Sequence, residues 1–162
     1  MSNEIDATCR RALGFLELGM PEDALAELEE VTDGSSIALH LQVDALFRLN
    51  RWDDAAAICV PMTVEEPGDA AWWVQAAYAT RRSLSLEDAE TVLAEALNHH
   101  PEHGLILYNF ACYACVRGDE MEGRARMERA LATGAAEILK MAMRDPDLEL
   151  LRPWLAKQSS VS

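Results

Sequence analysis

The stretch LSLEDAETVLAEAL, Leu84 to Leu97, decides the fold, because its design recurs three more times along the chain. GMPEDALAELEEV (Gly19 to Val31), NRWDDAAAICVPM (Asn50 to Met62) and RGDEMEGRARMERAL (Arg117 to Leu131) each show a turn, an acidic first helical turn, then a small residue. Those small residues are Ala24, Ala55, Ala89 and Gly123, separated by 31, 34 and 34 positions. One helical turn beyond them stand Leu28, Cys59, Leu93 and Met127, and a small or apolar residue follows again at Val31, Met62, Ala96 and Ala130. Spacing of three and four is helical, since a strand would alternate. Ahead of each turn lies a second apolar-periodic stretch: Ala12 and Phe15, Val43 and Leu46, Trp73 with Ala76 and Ala77, and Leu107 with Phe110 and Ala111. Each unit is thus two antiparallel helices, and such units bury a continuous core only by stacking.

The pattern predicts helices over 4–18, 21–31, 36–49, 52–63, 69–82, 86–98, 104–117 and 119–132. Pro21 suits a first helical turn, Asn50 and Gly118 suit helix ends, and Ser85 with Asp88 has the spacing of a capping box. Pro61 falls inside the fourth helix, where the lost donor should kink or end it. Two short helices, 135–144 and 147–156, divided by Asp145-Pro146, carry Ile138, Leu139, Met141, Met143, Leu148, Leu151 and Trp154. They are apolar enough to cap the open end of a stack. The organisation expected is therefore repeats over 1–132, capping helices over 133–156 and a loose tail over 157–162.

At 162 residues the chain has room for one domain or a short repeat array. Its 28 acidic residues against 14 basic ones give a net charge of −14, which repels phosphate backbones and anionic lipid. Nucleic-acid and membrane partners are not expected. The opening MSNEIDATCRRALGFLELG has acids early and no basic stretch leading into an apolar core, and no apolar run reaches membrane-spanning length. Cys9, Cys59, Cys112 and Cys115 lie in apolar, helix-like stretches, as thiols of a reducing compartment do, so a cytoplasmic protein is expected.

Two groupings invite chemistry. Cys112-Tyr-Ala-Cys115 is a C-x-x-C, but it falls deep within a helix, away from the terminus whose dipole would activate a thiolate. His99, His100 and His103 suggest a metal, with the cysteines as partners. His103 and Cys112 are nine residues apart on one helix, about 13 Å of rise, too far to share an ion. No nucleophile elbow, phosphate-binding glycine loop or H-E-x-x-H motif occurs. No enzyme activity, cofactor or metal is expected.

From about Glu4 to Leu131, the period near 34, the small residue at the helix crossing and the unit-ending Pro67 and Pro101 resemble the tetratricopeptide repeat family. Departures are the aromatic present only as Trp73, a first unit three residues short around Thr32 to Ser36, and no glycine in the third turn. The resemblance implies an all-α, right-handed superhelical array of about four helix pairs, acting as a non-catalytic adaptor for a protein or peptide segment. It also implies that the first helix of each pair lines a concave groove. Carried over residue by residue, that face is His40, Asp44, Phe47 and Arg48, then Val74, Tyr78, Arg81 and Arg82, then Tyr108, Cys112 and Cys115. The first repeat would add Cys9, Leu13 and Glu17. The three arginines either pair with nearby acids or receive acidic groups of an extended partner. Of the lysines and asparagines with which chaperone-type relatives clamp a C-terminal carboxylate, only Asn109 has a counterpart. A secretion-type chaperone, similarly short and acidic, and a structural module that forms homodimers are the alternative readings.

Overall fold

The computed structural model describes residues 2–31 and 34–159, with no side-chain placement for residues 2–6 and 135. Four antiparallel pairs succeed one another: α1 (Ser2–Glu17) with α2 (Pro21–Leu28), α3 (Ser36–Arg48) with α4 (Trp52–Glu65), α5 (Ala70–Ser83) with α6 (Leu86–His99), and α7 (Gly104–Val116) with α8 (Glu120–Ala142). A 3-10 helix (Pro146–Leu151) and α9 (Arg152–Ser159) complete the described chain, which contains no strand. The all-α solenoid expected from the repeats is the architecture found.

The small residues sit where the paired helices cross. Ala24, Ala55 and Ala89 have no exposed surface, and a Cβ on Gly123 would overlap Cys115 Sγ on α7. The turns within the pairs also repeat. Gly19, Asn50 and Gly118 adopt positive φ, and the residue after each, Met20, Arg51 and Asp119, donates its N–H to Phe15, Leu46 and Ala114, closing a Schellman-type helix end. The third pair lacks such a residue. There Ser85 caps α6, its Oγ accepting from the Asp88 N–H at 3.0 Å.

Four expectations need correction. Helix α2 stops at Leu28 rather than 31. Pro61 does not break α4, which runs unbroken to Glu65. Proline is tolerated there because it and Ala57, whose carbonyl loses its donor, are both exposed, while Cys59, Met62 and Thr63 hold the opposite face in the core. The two helices expected at 119–132 and 135–144 are joined as α8 across a kink at Gly134. The stretch expected as one helix over 147–156 is 3-10 and then α-helical, and helix continues through Lys157 to Ser159. The rest of the expected tail, 160–162, lies outside the described residues, as do Thr32 and Asp33 of the short first unit.

Apolar contacts form a chain of clusters along the solenoid, from Leu16, Leu28 and Ala38, through Val43, Cys59 and Trp72, to Leu93, Leu107 and Met127. Leu148, Leu151 and Leu155 of the C-terminal segment are wholly buried in the last of these.

Candidate functional site

The first helices of neighbouring pairs pack on one another, α1 on α3 and α5 on α7, whereas among the described residues no two second helices pack closely. A stack that is tighter along one layer curves toward it. The face made by α1, α3, α5 and α7 is therefore the inner one.

At its middle, α3 is bracketed to α5. The His40 ring stacks on Trp72 with centroids 3.5 Å apart. Its Nδ1 lies 2.9 Å from Gln75 Oε1 and its Nε2 lies 3.1 Å from Asp69 Oδ2. Burial acts to raise the Asp69 pKa, but the Ala71 N–H it accepts as helix cap, together with His40, holds it below the usual value. Asp44 and Arg48 form a two-pronged pair on α3, at 3.2 and 3.1 Å, and Arg48 Nη1 donates to the Leu16 carbonyl at 2.6 Å. Arg48 thus ties the second repeat to the end of α1. Val74 is half-buried against the core shared with α7.

Beyond this bracket the face opens onto three rings. Tyr78 meets Phe47 edge-on at 5.1 Å and Trp52 at 5.6 Å, and Phe47 and Trp52 are 5.8 Å apart. The Arg82 guanidinium lies 4.7 Å above the Trp52 ring. Tyr78 is 39% exposed and Arg82 is exposed, keeping solvent access beside the ring. Trp52 is absent from the set expected from sequence, because the first residue of a second helix reads as part of a turn. An aromatic among the acids of Asn50 to Asp54 is the available signal.

The fourth-repeat end of the expected groove must be corrected. Tyr108, Cys112 and Cys115 are buried, and the Asp145–Leu148 segment folds over α7. Asp145 Oδ1 accepts the Asp147 N–H at 2.9 Å, and its Oδ2 receives the Tyr108 hydroxyl at 2.6 Å and the Cys112 thiol at 3.7 Å. Arg81 reaches past α7 to Asp147, Nη1 to Oδ2 at 2.6 Å, with its guanidinium 5.1 Å from the Tyr113 ring centroid. Hydrogen bonding to Asp147 raises the Arg81 pKa, outweighing burial. The acidic segment that the inner face was expected to take from a partner is here supplied by the chain itself. In the first repeat Cys9 is buried, while Leu13 and Glu17 are exposed.

The thiols and histidines serve the fold. Burial pushes the Cys115 thiol up to about 11, and burial followed by Asp145 pushes Cys112 higher still, so neither is an ionised nucleophile near neutrality. His99 stacks on Trp73, His100 donates from Nε2 to the Pro67 carbonyl at 2.9 Å, and His103 Nδ1 accepts the Ile106 N–H at the start of α7. Among the described residues no helix is long and apolar enough to cross a membrane.

No protein-family model matches the sequence, and no curated protein matches it. Among solved structures, the chain is similar to a thermophilic TPR protein of Thermus thermophilus, with 18% identity over 93% of this chain and 85% of that one and a TM-score of 0.75. Identity so low speaks for architecture alone, and together with the stacked pairs and their crossing residues it gives the conclusion that this chain has the tetratricopeptide fold.

Proposed function

We propose that the protein is a non-catalytic adaptor that holds a segment of another protein on the part of its inner face left open between α3 and α5. One observation carries the reading: Tyr78, Phe47 and Trp52 form a partly exposed aromatic cluster under Arg82. Solvent-facing rings beside a guanidinium suit an apolar anchor next to a carboxylate. Among the described residues Arg82 lies over an aromatic face rather than in an ion pair, which leaves its charge for an acidic partner within a protein of net charge −14. Arg48 and Arg81 are engaged within the chain and hold the fold.

The test is capture from native lysate, with bound proteins identified by mass spectrometry and then titrated against variants. Arg82→Glu should weaken a partner with an acidic segment about tenfold and reduce the salt dependence of what remains. Tyr78→Ala should weaken binding without changing that dependence. Binding of a partner through an acidic segment that survives both changes would contradict the proposal.

A further inference from the structure

The outer side carries a second feature. Between the second helices α4 and α6 lies a cleft of about 470 Å³ with Trp73 on its floor, walled by Val60 and Val64 on one side and Val92 on the other, with Glu95 and His99 at the rim. Val60 and Val64 are one turn apart on α4, and Val64 is 80% exposed, so the wall is apolar and open to solvent along its length. On α6 the lining runs from Thr91 to His99, about 12 Å of helix. An open trough of that length suits a segment with apolar side chains every three or four residues.

Charge identifies what kind of segment. Helices α4 and α6 hold seven acids between them and neither Lys nor Arg. Asp54 is paired with Arg51, and Glu90 with Arg117 and Arg126. Among the described residues Glu95, at the rim, meets the Asn98 amide and, at 4.0 Å, the His99 ring, and no Lys or Arg. A second copy presenting this same acidic face is repelled, whereas a segment with lysines or arginines flanking its apolar residues is attracted.

We infer that the α4–α6 cleft is a docking site for a basic amphipathic segment of a partner protein, separate from the inner face. Apolar anchors lie over Trp73 between the valines, and flanking cations meet Glu95 and the neighbouring acids. The two faces then have opposite preferences, acidic ligand inside and basic ligand outside.

The probe is a fluorescein-labelled synthetic 18-residue helical peptide with leucines on one face and lysines elsewhere, read by fluorescence anisotropy at physiological salt. The peptide should bind saturably at one site. A version with alanine for leucine should bind at least tenfold more weakly, and one with glutamate for lysine should not bind. Val60→Ser with Val64→Ser should weaken the leucine–lysine peptide about tenfold, Glu95→Lys should weaken it and lower its salt dependence, and Arg82→Glu should leave it unweakened. Equal binding of the leucine and alanine peptides, or wild-type affinity in the valine variant, would overturn the inference. So would a dimer in sedimentation that Val64→Ser dissolves, because the cleft would then belong to a second copy.

Discussion

Arg81 Nη1 stands 2.6 Å from Asp147 Oδ2, joining residues 66 positions apart across the inner face. The pair is partly shielded, with side chains 23% and 29% exposed. Together with Tyr108 and Asp145 it pins the 3-10 segment over α7, while Leu148 and Leu151 of that segment fill the core behind it. The same contact therefore holds this segment over the α7 part of the inner face.

A double-mutant cycle of Arg81→Met and Asp147→Asn in urea denaturation should give a coupling of about 1–2 kcal/mol, the range for charge-assisted hydrogen bonds that keep some solvent access. Coupling near zero would mean that the segment is held by its leucines alone.

The crossing of α7 and α8 is tight at Gly123. Gly123→Ala should drive its methyl group into Cys115 Sγ and cost about 1–3 kcal/mol of stability. Adding Cys115→Ala should recover part of that loss in the same thermal melts. A Gly123→Ala protein as stable as the wild type would contradict the packing described.

His103 makes stability depend on pH. Its pKa lies below the ordinary 6.5, first through burial and then through the charge of His100, and its Nδ1 must stay unprotonated to accept the Ile106 N–H. The unfolded chain takes up this proton at higher pH than the folded one. The contribution is thus full above about pH 6.5 and is lost as pH falls through the folded pKa. His103→Asn, which keeps a side-chain acceptor at the cap, should flatten the fall in melting temperature between about pH 7 and 5. A slope equal to that of the wild type would contradict the assignment.

The paired helices are legible because local chemistry and packing agree at Ala24, Ala55, Ala89 and Gly123, and because Asn50, Gly118 and Ser85 mark the turns. The resemblance to the tetratricopeptide family also implies the inner-face residues His40, Phe47 and Tyr78. It does not give what lies over them. Asp145-Pro146-Asp147 reads locally as a break between helices, and nothing near it in sequence signals that its carboxylates meet Tyr108 and Arg81. Pro61 misleads for a related reason: whether proline breaks a helix depends on whether the freed carbonyl faces solvent, which one helix alone does not specify.

Closure of the inner face over α7 is tested most directly by native-state thiol labelling of the wild-type protein, with modification at each cysteine followed by peptide mapping. Cys112, 2% exposed beneath Asp145, should react only as fast as the whole protein unfolds, and a Tyr108→Phe, Asp147→Ala protein should label there faster while still folded by circular dichroism. Reaction of Cys112 in the folded wild type at the rate of an unhindered small thiol would show the fourth repeat to be open and would contradict the account.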